Sequence, residues 1–241
     1  MPGAAGMSCP GRVTLLHAVA SSPEVVSRNG RRAPVWMLGV CCLSPPARTD
    51  PTDQPRRPTL ADPVHDVRIA AIPADLPHVE RLWLEYLTWG NDENEARHGF
   101  RLPVREAVDH DLQAIAQFEP PHGRVLLAWQ GDYVFGIGCL RGIAPGIGEI
   151  KRMYVEPSHR GTGAGSALLD GLIAAAGEAG YARLRLDSPD FMTDAHRLYL
   201  RRGFEPIEPY PESEIPEDLR AWWVFMERPL LGGDESHRSE S

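Results

Sequence analysis

Residues 149–204 are the most informative part of the sequence and read EIKRMYVEPSHRGTGAGSALLDGLIAAAGEAGYARLRLDSPDFMTDAHRLYLRRGF. Their composition predicts a strand that ends at Val155, and a short loop then leads to Arg160-Gly-Thr-Gly-Ala-Gly165. Helical spacing of apolar side chains predicts a helix directly after this glycine loop. The next predicted strand, YARLRLD, ends at Asp187, and a last helix over residues 193–202 completes the stretch.

The glycine loop has the features of an anion-binding site. Glycines let the backbone approach a ligand closely, and the exposed N–H groups and dipole of a helix start attract phosphate. A nucleoside-triphosphate loop would need Lys and then Ser or Thr after the last glycine, and Ser166-Ala follows instead. A dinucleotide fingerprint would account for Asp187, but the spacing here is G-x-G-x-G and not G-x-G-x-x-G. Glycines that serve turn geometry alone remain an alternative.

The glycine loop resembles the R/Q-x-x-G-x-G/A pyrophosphate loop of the GCN5-related N-acetyltransferases (GNAT family). YVEPSHRG before it and LYLRRGF after it resemble the other two landmarks of that family, in the same order. The resemblance covers roughly residues 67–230. It implies an α/β fold of mixed α+β type, with a central twisted mixed sheet of about six to seven strands flanked by about four helices.

The resemblance also implies a binding site for acetyl-CoA, the co-substrate of that family. The loop amides would bind its pyrophosphate, and the preceding strand would pair with its pantetheine arm. Met192 stands where many members carry an Asn that contacts CoA. No metal is implied. The residues expected to bind acetyl-CoA are Met153, Tyr154, Val155, Arg160, Gly161, Thr162, Gly163, Ala164, Gly165 and Ser166.

Two residues are candidates for proton transfer. The tyrosine of the family's LY…GF segment, here Tyr199, often protonates the departing CoA thiolate, although a packed core aromatic is the alternative. Period-two alternation places Glu149 on the same strand face as Lys151, Met153 and Val155. Glu149 is therefore a candidate base acting through water, and a solvated charge at a strand end is the alternative.

The chain before the informative stretch predicts the order β-α-α-β-β-β. A helix is expected over residues 76–87, a polar loop over residues 89–95 and a second helix over residues 103–118. RVLLAW and YVFGIGCL, joined by Gln130-Gly-Asp, predict a hairpin. Aromatic and acidic side chains near the expected acceptor site suit a cationic amine, and the alternative is that the tryptophans belong to the core and the acids to a solvated loop. They are Trp83, Tyr86, Trp89, Asp92, Glu93, Glu95, Tyr210, Trp222 and Trp223.

Composition limits the classes of partner. The formal charge of −8 argues against nucleic acid or an anionic membrane, and no apolar run is long enough to span a bilayer. Residues 1–66 hold ten of the 23 prolines and predict a disordered leader or a start codon assigned too early. We expect the acetyltransferase domain over residues 67–231 and a polar tail over residues 232–241. Free cysteines predict a reducing, cytoplasmic compartment.

The sequence therefore predicts an N-acetyltransferase. It would move an acetyl group from acetyl-CoA to a primary amine of a small molecule or peptide, by direct attack in a ternary complex. A domain that binds acyl-CoA without turnover, as a sensor or partner-binding module, is the alternative. The oligomeric state stays open, with a homodimer as one alternative.

Overall fold

The computed structural model describes residues 25–26, 32–33 and 66–230. Val25–Val26 (β1) and Arg32–Ala33 (β2) form a short antiparallel pair. The rest of the predicted leader, apart from Asp66, and the whole predicted tail lie outside the described residues. The remaining elements form one sheet with helices on both faces.

A seven-stranded mixed sheet, in the order β3-β4-β5-β6-β7-β9-β8, forms the centre of the fold. Only the β6–β7 pairing is parallel, and the other neighbours are antiparallel. This confirms the predicted mixed sheet. Its strands are β3 (Asp66–Ile69), β4 (Arg124–Gln130), β5 (Tyr133–Ala144), β6 (Ile147–Val155), β7 (Arg183–Pro189), β8 (Glu205–Ile207) and β9 (Trp223–Pro229).

Within the described residues, four α-helices cover the two faces of the sheet. Leu168, Leu169 and Leu172 are fully buried in one apolar cluster with side chains of the sheet. Val79 and Leu82 are fully buried in the second cluster, on the other face. The helices are α1 (Leu76–His98), α2 (Val104–Gln113), α3 (Ala164–Glu178) and α4 (Thr193–Arg201). Helices α3 and α4 contribute to the first cluster, and α1 and α2 contribute to the second.

The first helix is longer than the sequence predicted. The polar run over residues 89–95 was expected to be a loop, but α1 continues through it to His98. Polar contacts account for the extension: the Asn91 amide bonds the backbone N–H and C=O of Leu102 at 2.7 and 2.9 Å. The helix ends at Gly99, whose φ of 73° suits a left-handed cap. The loop prediction was wrong because these partners lie outside the run itself.

A β-bulge interrupts β6. Arg152 has a φ of 54°, and the register of β6 against β5 shifts between Lys151 and Tyr154. The bulge adds one residue, so every side chain after it changes face. Met153 packs with the α3 cluster, whereas Glu149 and Lys151 lie in polar contacts with the loop before β9. The prediction that Glu149 shares a face with Met153 and Val155 was therefore wrong.

An ion pair with α2 holds the bulge. The Arg152 guanidinium donates to Asp111 Oδ2 from Nε at 2.8 Å, and both side chains are largely buried. Asp111→Ala should lower the free energy of unfolding in urea by about 3 kcal/mol, because it leaves a buried guanidinium unpaired. Asp109→Ala, on the same helix but 43% exposed, should cost less than about 1 kcal/mol. Equal losses for the two variants would contradict this role.

Candidate active site

A cleft opens where β6 and β7 diverge. The two strands pair from Ile147 and Arg183 as far as Ile150 and Leu186, yet β6 continues to Val155 and β7 to Pro189. Beyond the last paired rung the two strand ends no longer satisfy each other's backbone groups. A ligand with amide groups can pair there as an added strand would. The β6 residues after the bulge therefore have no β7 partner for their backbone groups, although β6 is a central strand of the sheet.

The glycine loop lies at the mouth of this cleft. Gly161 and Gly163 have φ values of 77° and 97°, in the left-handed region that favours glycine. A Cβ atom on either glycine would meet no described atom within 4 Å. Helix α3 begins at Ala164, and no side chain of the described region caps its N-terminus. No side-chain cap therefore competes with a ligand for the first-turn amides, which is an arrangement that can bind phosphate.

Arg160 lies across the mouth of the cleft. Its Nε donates to the Val155 carbonyl at 3.1 Å, and its guanidinium lies 4.8 Å from the ring centroid of Trp89. It also lies 5.8 Å from the ring of Tyr154, whose pKa is raised mainly by burial. A fixed cation thus stands between the strand end and the helix start.

A buried carboxylate fixes the start of the glycine loop. Glu156 accepts hydrogen bonds from the Tyr133 hydroxyl at 2.7 Å and from Arg81 Nη1 at 2.8 Å. Thr162 donates to the His159 carbonyl at 2.6 Å within the loop. Nothing in the sequence signalled the pairing of Glu156 with Arg81, because the two residues are 75 positions apart.

Tyr199 reaches the cleft from α4. Its side chain is buried, and its hydroxyl contacts Met153 Sδ at 3.9 Å, just after the bulge. Burial, then the neighbouring Tyr86 and Asp187, raise the pKa of Tyr199, so the phenol holds its proton at neutral pH. Tyr199 thus contacts Met153 and is also a member of the apolar cluster beneath α3 and α4, so its burial fits both alternatives that the sequence left open.

Glu149 lies below the cleft and is fully buried. Its Oε2 accepts from Arg141 Nε at 2.8 Å, and its Oε1 accepts from the Tyr210 hydroxyl at 2.6 Å. The same Arg141 bonds Glu214 Oε1 at 2.6 Å. The ion pairs with Lys151 and Arg141 lower the pKa of Glu214 to about 2, although burial opposes the shift. Glu149 is therefore part of a buried ionic network, and neither of its oxygens lacks a donor.

Only some of the residues expected around the acceptor lie together, such as Tyr86 and Trp89, whose ring centroids are 6.5 Å apart. Trp83 is fully buried in the core beneath α1, and Glu93 pairs with Arg97 at 2.9 Å. Arg101 pairs with both Asp92 and Glu95. At the end of α1, Trp222 stacks on His98 with ring centroids 4.8 Å apart. Each of the three predicted acids thus pairs with an arginine, although two of them share Arg101.

The remaining predicted residues occupy the first turn of α3 and the start of α4. A Cβ atom on Gly165 would lie 3.6 Å from Leu198 and 3.9 Å from Met153, so Gly165 lines the cleft. Ser166 is in the same first turn. Met192 precedes α4 and makes no side-chain cap, while its carbonyl accepts from the His196 N–H at 3.0 Å.

Comparisons with known proteins agree with this geometry. A family model described as "Acetyltransferase (GNAT) family" matches residues 82–204. An uncharacterized N-acetyltransferase of Schizosaccharomyces pombe is 31% identical over 156 residues, 63% of this chain and 90% of that protein. An IAA acetyltransferase of Azospirillum brasilense is 35% identical over 122 residues, 50% of this chain and 74% of that protein.

Solved structures support the same fold. A GNAT-family acetyltransferase of Staphylococcus aureus superposes with a TM-score of 0.54 at 19% identity, covering 69% of this chain and 99% of that one. The PaiA N-acetyltransferase of Thermoplasma acidophilum, solved with coenzyme A, superposes with a TM-score of 0.53 at 16% identity, over 69% and 99%.

Sheet, cleft and loop together define an acyltransferase fold. The chain belongs to the GNAT acetyltransferase family. Among the described residues, no helix is both long and apolar enough to cross a membrane. No group of three or more His, Cys, Asp or Glu side chains that could hold a metal ion occurs in that same part of the chain.

Proposed function

We propose that this protein transfers the acetyl group of acetyl-CoA to a primary amine, by direct attack of the amine in a ternary complex. The observation that carries the proposal is the coincidence of three features at one place. The strands β6 and β7 diverge, the uncapped start of α3 opens onto the divergence, and the protonated Tyr199 reaches into it.

Acetyl-CoA fits these features as co-substrate and would supply the thioester. The amides of Gly163, Ala164 and Gly165 would bind its pyrophosphate, with Arg160 adding a positive charge. The backbone of Met153 and Val155 would pair with its pantetheine amides at the free edge of β6. The open space beyond Gly161 and Gly163 supports this placement, since a side chain there would fill it.

Within this site we propose that Tyr199 donates the proton to the departing sulfur. Its contact with Met153, on the free edge of β6, supports this role. We also propose that Glu149, predicted as a base, acts only through Tyr210. Its full burial and its two charge-assisted hydrogen bonds support an indirect role. The homodimer and the cytoplasmic location stay predictions.

The test is the release of free CoA thiol when the protein is mixed with acetyl-CoA and primary amines, with the acetamide product identified by mass. We expect thiol and acetamide in equal amounts. If calorimetry shows acetyl-CoA binding while no amine yields acetamide, the acyl-CoA sensor takes the place of this proposal. If acetyl-CoA does not bind, the cleft assignment itself is wrong.

A further inference from the structure

An ionic network beneath the cleft, buried except for Glu214, which is 34% exposed, contains more carboxylates than cations. We call it the Lys151 network; it consists of Arg141, Lys151, Glu149, Glu214 and Asp187, which are joined by ion pairs. Three carboxylates therefore share two cations. A surplus negative charge in a buried place is costly unless a further cation or proton compensates it. The network as a whole is thus suited to receive a positive charge.

The surplus charge falls on Asp187. Glu149 pairs with Arg141 at 2.7 Å, and Glu214 pairs with both Arg141 at 2.6 Å and Lys151 at 3.1 Å, whereas the nearest cation to Asp187 within the network is the Lys151 ammonium at 3.8 Å. The Tyr210 hydroxyl oxygen lies 2.6 Å from Glu149 and 3.4 Å from Asp187. Because the hydroxyl has one proton to donate, the shorter hydrogen bond to Glu149 takes it. Asp187 is left with the Ser213 hydroxyl at 3.3 Å as its remaining donor among the described side chains.

Asp187 also stands at the point where the cleft begins. It is the first residue of β7 beyond the last rung shared with β6. Burial raises the pKa of Tyr199 and of Tyr86, and the negative charge of Asp187 raises both further. Those two tyrosines belong to helices on opposite faces of the sheet, and Asp187 lies on the strand between them, where its pairing with β6 has ended.

We infer that Asp187 is the catalytic residue that binds the ammonium group of the acceptor and takes its proton. The inference rests on the proposed function and adds the acceptor class, an aliphatic amine that is charged at neutral pH. The acids of α1 lie in solvent-screened surroundings instead: Glu93, which pairs with Arg97, is 34% exposed, and Asp92 and Glu95, which share Arg101, are 61% and 48% exposed.

The proton balance of the step is complete with the groups in the cleft. Asp187 takes one proton from the ammonium, and the freed nitrogen lone pair forms a bond to the thioester carbon. The C–S bond breaks, and the sulfur leaves with the electron pair and takes the Tyr199 proton. A second N–H proton restores the phenol. The products are the acetamide, the CoA thiol and one proton on Asp187, which passes to solvent.

The experiment compares two nucleophiles at neutral pH with wild type and Asp187→Asn. n-Butylamine is an ammonium ion under these conditions, whereas O-methylhydroxylamine is uncharged and needs no deprotonation before attack. Asp187→Asn should reduce thiol release with n-butylamine by at least about a hundredfold, and with O-methylhydroxylamine by less than about fivefold. Acetyl-CoA affinity by calorimetry should stay within about twofold, because Asp187 contacts the acceptor and not the cofactor.

Control variants keep the test independent of folding. Asp194→Asn, whose side chain is 91% exposed on α4, should change neither rate. Asp187→Glu keeps the charge and should recover at least about tenfold of the loss with n-butylamine. Asp187→Ser replaces the Asn variant if the latter fails to bind acetyl-CoA. An equal loss with both nucleophiles would overturn the role of Asp187 and leave the proposed function standing. Wild type that binds acetyl-CoA but acetylates neither nucleophile would overturn both.

Discussion

Gly163→Val should abolish measurable binding of acetyl-CoA while the protein stays folded. The backbone at Gly163 has a φ of 97°, and the space where a side chain would stand contains no described atom within 4 Å. A valine there strains the loop and projects into the volume that the pyrophosphate needs. Loss of two charge-assisted hydrogen bonds to the α3 amides corresponds to about 3 kcal/mol or more, which is over a hundredfold in affinity.

Gly180→Val is the matched control for this variant. Gly180 follows the other end of α3, has a φ of 78° and likewise meets nothing within 4 Å. Both substitutions should therefore lower the melting temperature by a similar amount, but only Gly163→Val should lose acetyl-CoA in calorimetry. Unchanged affinity in folded Gly163→Val would remove the glycine loop from the binding site. Equal loss of affinity in both variants would mean that strain, and not a blocked phosphate site, causes the effect.

Tyr199→Phe should lower turnover by at least about a hundredfold, the usual contribution of a general acid. The ring stays packed against Phe204, 5.9 Å away, and only the hydroxyl near Met153 is lost. Acetyl-CoA affinity should change little, because the proton is needed only as the C–S bond breaks. Turnover at saturating acetyl-CoA and acceptor, together with calorimetric affinity, separates the two effects.

Tyr181→Phe provides the comparison for Tyr199→Phe. The Tyr181 hydroxyl donates to the His122 carbonyl at 2.6 Å, at the end of β6 away from the cleft. Its loss should cost about 1 kcal/mol of stability and leave turnover unchanged. An unaltered rate in Tyr199→Phe, measured where chemistry limits turnover, would show that Tyr199 is only a core aromatic. Asp187 or water would then be the remaining proton carriers.

The sequence predicted the parts of the site that are local. The glycine loop, the helix after it and the position of Tyr199 follow from residues that are close along the chain, where turn geometry and helical spacing leave a clear pattern. The order of strands from β4 to β7 was predictable for the same reason. The hairpin turn at Gln130-Gly-Asp is an example, since β4 ends and β5 begins on either side of it.

Contacts between distant residues were not predictable. The bulge at Arg152 has no glycine to signal it, and it depends on Asp111, which lies 41 positions earlier on α2. One added residue then reverses the faces that alternation assigns to Met153 and Val155. In the sequence, Asp187 stood out only as the end of a strand and as the acid that a dinucleotide fingerprint would need. Its surplus charge becomes apparent once Glu149 and Glu214 are known to engage Arg141 and Lys151.

A crystal structure of the protein with bound coenzyme A is the most direct test of the cleft as the acetyl-transfer site. The pyrophosphate should lie within hydrogen-bond distance of the amides of Gly163, Ala164 and Gly165, with the pantetheine amides paired to Met153 and Val155. The thiol should point between the diverging ends of β6 and β7, toward the Tyr199 hydroxyl. A coenzyme bound away from the start of α3, or a thiol remote from Tyr199, would contradict the account.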